Sequence, residues 1–228
     1  MLKPNQGKNL VIKTKYGYFE RYPIKTKLII PQDNLLDIIK KFALPHLKND
    51  DILFISEKIV AVTQGRSYRI SEITPSKLAI FLSRYVYKNP GGIGLALPET
   101  MQLAIEEVGV LRIILAAVCA VITKPFGIRG VFYLVAGSGA RSIDGPVPYA
   151  IPPYNEYASK GPKDPQKVVK NIEKEINFKT VIVDANDLGV NILGKSKGLN
   201  RKMLLEVLKD NPLGQSDEST PLGIIRKI

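Results

Sequence analysis

The sequence has little of the residue types that carry most redox and metal chemistry. It contains one cysteine, Cys119, and one histidine, His46. A single cysteine cannot form an internal disulfide, a pattern typical of proteins from a reducing compartment. His46 lies in a Pro-His-Leu turn without an evident partner, so we interpret it as structural. The fold must therefore be stabilised by an ordinary buried core.

Standard nucleotide-binding signatures and targeting signals are also missing. The chain has neither GxxxxGK[ST] nor GxGxxG, so nothing indicates a P-loop or a Rossmann site. The first ten residues, MLKPNQGKNL, contain no apolar signal-peptide core, and no internal repeat or low-complexity segment is visible. We therefore expect a cytoplasmic protein.

The longest hydrophobic run is too short to span a membrane. It covers the 14 residues Val110–Thr123, contains Arg112 and is followed by Lys124-Pro125. A spanning helix needs about 20 apolar residues. We predict a buried helix or a buried pair of strands. A segment that lies on a membrane and a buried contact between subunits are the alternatives.

The composition is that of a globular protein with an excess of basic residues. Of the 228 residues, 45% are hydrophobic and 24% are charged, enough for one large domain or two small interleaved ones. The formal charge of +12 attracts anions such as nucleotides, phosphorylated substrates, nucleic acid or anionic lipid. Basic residues are spread from Lys3 to Lys227 and do not alternate with aromatics as on RNA-binding sheets. We therefore do not expect nucleic acid to be the partner.

Hydrophobic periodicity predicts helices that alternate with strands, and hence an α+β or mixed α/β fold. Thr74 is the predicted cap of the second helix, and Gly137–Pro162, rich in glycine and proline, is predicted to be loop. Predicted strands lie within residues 9–30 and 51–60, at 180–183 and at 221–227. The first predicted helix covers 33–42 and the last covers 200–209. Three further helices are predicted to begin at 75, 98 and 165.

Three polar loops stand out against these apolar elements. Asp144 lies in the glycine- and proline-rich stretch, Asp184 and Asp187 follow an apolar strand, and GQSDEST (214–220) precedes the last strand. Carboxylate and amide oxygens are the ligands that Mg²⁺ and Mn²⁺ prefer, and α/β proteins usually bind ligands at strand ends. Glycine and serine in the third loop would let backbone N–H groups approach phosphate oxygens. Each loop also has an ordinary interpretation as a turn, a cap or a solvated connection.

Several segments of the sequence, in their order along the chain, resemble those of a known protein family. In the first half these are LIIPQDNLLDII, DDILFISEKIVAVTQGR and ITPSKLA; in the second half they are IDGP, GPKDPQKVVKNIEKEI, VIVDAND and LGQSDESTPLGIIRK. Together they are similar to the coenzyme F-420-0:gamma-glutamyl ligases. The similarity covers roughly Lys27–Tyr87 and Ile143–Lys227.

The resemblance implies a fold, a reaction and partners. It implies an α+β fold with an extensive sheet, formed by 1–228 as one unit with an apolar insert at about 91–137, and a homodimer. It implies GTP and Mg²⁺ or Mn²⁺ as cofactors. The implied reaction joins L-glutamate to a carboxylate acceptor, coenzyme F-420-0 or a folate-like pterin, through an acyl phosphate. In such a reaction positioning and charge neutralisation replace a protein nucleophile.

The resemblance also assigns roles to residues of this sequence. It implies that Asp144 and Asp184 are catalytic carboxylates that bind metal. It implies that Asp187 and Gln215 contribute further metal ligands. The implied nucleotide contacts are Thr26, Lys27, Leu28, Ile29, Glu57, Lys58, Leu213, Gly214, Gln215, Ser216, Asp217, Glu218, Ser219 and Thr220.

Departures from the family pattern keep two other functions open. Pro146 and Val147 replace a Ser-Asn pair after Asp-Gly, Ala185 replaces a threonine, and Val62 replaces a lysine expected to meet phosphate. The segment after 187 is also shortened. One alternative is therefore a catalytically altered nucleotide-binding or regulatory protein on the same fold. The other is a basic protein that binds nucleic acid or a membrane surface.

Overall fold

The computed structural model describes residues 2–86, 94–186, 189–214 and 218–228. Within these ranges the chain forms nine α-helices and eight β-strands, which confirms the predicted α+β class. The strands are β1 (Val11–Thr14), β2 (Gly17–Ile24), β3 (Ile52–Ser56), β4 (Ser67–Arg69), β5 (Tyr157–Ser159), β6 (Lys179–Asn186), β7 (Gly189–Lys195) and β8 (Leu222–Lys227). The helices are α1 (Leu35–Phe42), α2 (Glu57–Thr63), α3 (Lys77–Ser83), α4 (Pro98–Val108), α5 (Val110–Thr123), α6 (Val131–Ala136), α7 (Ser138–Arg141), α8 (Pro165–Ile176) and α9 (Arg201–Leu208).

The chain divides into two compact units. Unit 1 consists of Met1–Gly65 and Pro162–Ile228, and unit 2 consists of Arg66–Gly161. The apolar stretch that the sequence indicates as an insert falls within unit 2. Of the helices in the described ranges, none combines the length and hydrophobicity that crossing a bilayer requires.

Unit 1 is organised around a six-stranded mixed sheet with the order β1-β2-β8-β3-β6-β7. β3 and β6 pair in parallel, and the other neighbours pair antiparallel. Because β8 runs opposite to both β2 and β3, the strands β2, β3 and β6 all run in one direction. Their carboxyl ends therefore lie at one edge of the sheet.

Both faces of the central strand β3 are covered. Ile52 and Phe54 pack in a cluster with Leu204 and Val207 of α9, while the alternate residues Leu53 and Ile55 are fully buried on the opposite face. On that opposite face α2 and α8 pack against the sheet, and α1 packs against both of these helices. Burial on two sides explains why β3 reads as a continuous apolar run.

Unit 2 is mainly helical, with α3 to α7 and the two-stranded sheet β4–β5. Its core joins residues of α3, α4, α5, α6 and α7 with Ala158 of β5. From α5 only Ile113 and Ala116 are fully buried. The helical alternative for this run is confirmed, but the prediction that the run is buried is wrong. A helix buries only the face that meets its neighbours, and the opposite face of α5 is exposed.

Most predicted elements are confirmed, with four corrections. The strand predicted within 51–60 ends at Ser56, where the helix α2 begins. Ser76, not Thr74, caps α3, since its Oγ accepts the N–H of Ala79 at 3.2 Å. The stretch predicted as loop contains α7 and β5. β7 was not predicted, because its glycine and asparagine content weakens the strand pattern. Local sequence propensity does not predict this strand, which is stabilised by its pairing with β6.

Candidate functional site

Four predicted site segments of unit 1 converge at one edge of its sheet. Thr26, Glu57 and Asp184 lie at or just beyond the carboxyl ends of β2, β3 and β6, which share this edge. β8 begins at the same edge, so the residues 218–220 that precede it lie there too. The register aligns these ends, with the pairs Ile24↔Leu222, Ile55↔Leu222 and Ser56↔Val183.

Backbone hydrogen bonds extend this convergence beyond the strands. The N–H of Thr26 donates to the carbonyl of Ser219 at 2.9 Å, and the N–H of Ser56 donates to the carbonyl of Pro221 at 2.9 Å. The first predicted nucleotide segment therefore contacts the third directly. The second segment begins one residue after Ser56, beside the same loop.

The segment Thr26–Ile29 buries its two end residues and exposes its two middle residues. Thr26 and Ile29 are buried, whereas Lys27 and Leu28 are exposed. The ammonium group of Lys27 forms an ion pair with Asp33. This ion pair, together with the N–H of Ile30, holds the pKa of the Asp33 carboxyl below its ordinary value. A phosphate that bound Lys27 would therefore compete with an existing partner.

Glu57 and Lys58 open α2, and both are half-buried. Ser56 caps this helix, because its Oγ accepts the N–H of Lys58 at 3.3 Å. Val62 lies further along α2 and is only 2% exposed. The position that carries a phosphate-binding lysine in the family pattern therefore faces the core, where an apolar residue fits.

The loop before β8 is closed at its base by side-chain hydrogen bonds. Asn211 Nδ2 donates to the carbonyl of Gly214 at 2.9 Å, and Thr220 Oγ1 donates to the carbonyl of Leu213 at 2.7 Å. Gly214 has a left-handed φ of +79°, a backbone conformation that glycine adopts without strain. A side chain there would also have to displace the carboxylate of Glu218, which lies beside it. Gln215, Ser216 and Asp217 lie outside the described residues.

Asn5 is a residue of this region that sequence reasoning missed. Its Nδ2 donates to Thr220 Oγ1 at 2.8 Å and to the carbonyl of Pro212 at 3.1 Å. It thus fixes both ends of the closed loop. The partners are separated along the chain by more than 200 residues, and no local pattern marks an asparagine that acts at such a distance.

Asp184 lies in the hairpin formed by β6 and β7, where it pairs with Asn191. Its side chain is half-buried. Ala185, which replaces a threonine of the family pattern, packs against the apolar cluster that includes α9. Asp187 lies outside the described residues. Among the described residues of unit 1, Asp184 is therefore the predicted metal ligand at the sheet edge.

Asp144 lies in unit 2 and is exposed. It forms an isolated antiparallel bridge with Ser159, with N–H···O distances of 2.9 Å in both directions. Ser159 in turn pairs with Ser67 of β4. Residues directly opposite each other project on the same face of a sheet. The carboxylate of Asp144 and two serine hydroxyls therefore share one face, and Ser67 Oγ is buried without a hydrogen bond to any described residue.

Two cations close to this bridge were not predicted. Lys160, a buried residue that follows Ser159, places its ammonium group 3.0 Å from Glu106 and 5.4 Å from the ring centre of Tyr68. Arg66 binds Glu107 at 2.7 Å. Both glutamates are exposed, and each has a cationic partner. Lys160 and Arg66 are distant in sequence, so only the fold associates them.

The side chains present suit a metal ion that binds together with a nucleotide. Among the residues that the structure describes, no three histidine, cysteine, aspartate or glutamate side chains form a group able to hold a metal. The donors at Asp184, and at Asp144 with its two serines, are all oxygens. Mg²⁺ commonly binds one or two carboxylates, keeps several waters and completes its shell with substrate phosphates. The residues therefore fit a hard divalent cation and not a preformed cage.

Comparison with known protein families shows which family the chain belongs to. A family model described as F420-0:gamma-glutamyl ligase matches residues 23–187. The chain belongs to this ligase family. No curated protein matches the sequence significantly. The matched range includes every predicted site residue up to Asp187, whereas the loop 213–220 lies outside it. The roles of that loop rest on its own residues and on its position beside Thr26.

Proposed function

We propose that this ligase joins the amine of L-glutamate to a carboxylate of an acceptor, with GTP as the phosphoryl donor. The acceptor would be coenzyme F-420-0 or a folate-like pterin, since both offer a carboxylate for the same amide bond. The whole chain would act as one functional unit and assemble as a homodimer.

The observation that carries the proposal is the convergence at the sheet edge of unit 1. Three segments proposed to contact the nucleotide lie there with Asp184, although they are far apart in the sequence. A strand-end location is where α/β proteins usually bind ligands. The hydrogen bond between Thr26 and Ser219 supports the pairing of two of these segments. An arrangement of unrelated surface loops would not be expected to bring all four together.

The proposed reaction has two steps. An oxygen of the acceptor carboxylate bonds to the γ-phosphorus of GTP, the bond from phosphorus to the β,γ-bridging oxygen breaks, and GDP leaves. The neutral amine of glutamate then attacks the acyl carbon, phosphate departs with the electron pair of the C–O bond, and the nitrogen loses a proton. The protein provides no covalent intermediate, so its task is to align the reactants and neutralise charge.

The residues would divide this task. Thr26–Ile29, Glu57, Lys58 and the loop 213–220 would bind and orient the nucleotide. Asp144, Asp184, Asp187 and Gln215 would hold the divalent ions, which when bound supply positive charge beside the phosphoryl oxygens. Asn5 and Gly214 would keep the loop in shape without touching the reacting atoms.

Thermal unfolding with nucleotide and metal tests the binding half of the proposal. The protein would be heated with GTP or ATP in the presence of Mg²⁺, Mn²⁺ or a chelator. A ligand at about 100 times its dissociation constant adds about 2.7 kcal/mol of stability. We expect a metal-dependent stabilisation by GTP that Asp184→Asn and Asp144→Asn each weaken. Asp50→Asn is the matched control, since Asp50 is exposed and its left-handed φ of 67° suits asparagine.

Phosphate release tests the catalytic half. It should require GTP, glutamate and an acceptor together, and it should fall in both site variants but not in the control. If nucleotide stabilises the parent and both site variants equally, the assignment of Asp144 and Asp184 is wrong. If no nucleotide stabilises the parent, the proposed site does not bind nucleotide.

A catalytically altered protein that binds nucleotide without ligation is the second candidate. The observation that favours it is the burial of Val62, which leaves no lysine for phosphate at that position. Nucleotide binding without glutamate-dependent phosphate release, with either acceptor class, would support this candidate. Release that depends on both glutamate and acceptor would exclude it.

A further inference from the structure

The outward face of α5 is an apolar surface that the proposed ligase reaction does not use. Seven of its 14 residues are large aliphatic side chains with substantial exposure. Leu111 is 85% exposed and Val121 is 71% exposed. The seven are Val110, Leu111, Ile114, Leu115, Val118, Val121 and Ile122. We call this set the α5 face.

The spacing of these residues places them on one side of the helix. Positions three and four apart are neighbours on a helix surface, so Leu111, Leu115, Val118 and Ile122 form one continuous stripe. Ile113 and Ala116 point the other way, into the core of unit 2. A surface helix normally presents polar residues on its outer side. The α5 face contains no polar residue, so its chemistry suits an apolar partner.

The segment after α5 extends the apolar surface and adds charge. Phe126 is 76% exposed and Ile128 is 55% exposed, and the exposed cations Lys124 and Arg129 flank them. From 108 to 143 the chain has four basic residues and no acidic one. Arg112 folds back and donates to the carbonyl of Val135 at 2.9 Å. Lys124, Arg129 and Arg141 form no ion pair within the described residues.

We propose that the α5 face and the segment Lys124–Arg129 dock on the surface of a membrane that contains anionic lipid. The aliphatic side chains and Phe126 would enter the boundary between headgroups and acyl chains. Lys124 and Arg129 would place their stems along this boundary and their charges among lipid phosphates. α5 is about 21 Å long at 1.5 Å per residue, shorter than the roughly 30 Å hydrocarbon core. The helix would therefore lie on the membrane and not cross it.

Charge favours lipid over a second copy of the chain as the occupant. In a two-fold symmetric contact each copy presents the same patch to the other. Each copy would add its own cations to the contact, and the stretch 108–143 offers no carboxylate to neutralise them. Anionic headgroups supply the missing charge. This inference does not depend on the proposed ligase reaction.

Co-sedimentation of the full chain with vesicles tests the proposal. Vesicles of phosphatidylcholine alone would be compared with vesicles that also contain phosphatidylglycerol, at low and at high salt. We expect binding to the anionic vesicles that decreases with salt, because screening weakens attraction between surface charges. Leu115→Ser with Val121→Ser should reduce binding about tenfold or more, and Lys124→Gln with Arg129→Gln should reduce it mainly at low salt.

Matched controls distinguish docking from general stickiness. Ile80→Ser with Phe81→Ser removes two exposed apolar side chains from α3 of the same unit and should leave binding unchanged. Thermal unfolding should be similar for all variants, since every altered side chain is exposed.

Three outcomes would overturn the proposal. The first is equal binding to neutral and anionic vesicles. The second is no binding to either. The third is a stable dimer without lipid that Leu115→Ser with Val121→Ser converts to monomer, because the occupant would then be a second copy.

Discussion

Two apolar runs, β3 and α5, have opposite surroundings in this protein. All five residues of β3 except Ser56 are buried, and the strand lies between β8 and β6 with helices on both faces. Only two of the 14 residues of α5 are fully buried. A strand in the middle of a covered sheet buries both of its faces, whereas a helix at the border of a small core buries one. An apolar run therefore indicates a buried element only when its architecture is known.

The comparison also separates two kinds of candidate function. The edge beyond β3 gathers short polar segments whose backbone groups are already ordered, an arrangement suited to a small anionic ligand. The α5 face offers a broad apolar surface beside cations, an arrangement suited to an extended partner. If the regions differ as strongly as their packing indicates, substitutions in them should have effects of very different size.

The largest effect is expected at the buried ion pair beside β3. Asp51 is 2% exposed and accepts from Arg226 at 2.9 Å and 2.6 Å, and from the N–H of Lys48 at 2.8 Å. Asp51→Asn leaves the guanidinium of Arg226 with a weaker partner and should lower the free energy of unfolding by about 3–4 kcal/mol. Urea unfolding measures this loss. Asp50→Asn should change stability little, and equal effects of the two substitutions would refute the pair's importance.

The next effect is expected at the contact between β8 and β3. Gly223 pairs with Phe54, and a Cβ on Gly223 would come within 2.3 Å of the phenyl ring. Gly223→Ala should cost about 3 kcal/mol, because neither strand can move apart in the middle of the sheet. Phe54→Leu combined with Gly223→Ala should recover part of the loss. A fully additive double variant would contradict this close contact.

The two sides of α5 should respond differently to the same kind of substitution. Ile113→Ala removes a fully buried side chain and should cost about 2–3 kcal/mol. Leu111→Ala removes a side chain that is 85% exposed and should change the free energy of unfolding by less than about 0.5 kcal/mol. Urea unfolding without lipid measures both. Similar losses would mean that Leu111 is covered in solution.

The smallest effect concerns pH at the predicted nucleotide segment. The ion pair with Lys27 holds the pKa of Asp33 below its ordinary value, so the carboxylate stabilises the folded state at neutral pH. That contribution is complete above the unfolded pKa of about 3.9 and is lost as the pH falls through the lower folded pKa. Asp33→Asn should therefore lower the free energy of unfolding by at most about 1 kcal/mol at pH 7. The difference from the parent should shrink in strong acid. A difference that grows on acidification would contradict the sign of this shift.

The sequence alone determined the class of the fold and many of its elements. Periodicity placed α1, α4, α8 and α9, and apolar strands with flanking turn residues placed β3, β6 and β8. These signals are local, because a helix or strand must present its apolar residues at a fixed spacing. The order of short motifs also indicated the ligase family, and the family match confirms this relationship.

Only the tertiary structure decided which polar segments meet and which apolar residues stay exposed. The contact of Thr26 with Ser219, the role of Asn5 and the ion pairs of Arg66 and Lys160 join residues that are far apart in the chain. Such pairings depend on strand order and direction, which local spacing does not encode. For the same reason the sequence identified α5 as apolar but not as exposed, since burial depends on the neighbours that the fold places around a helix.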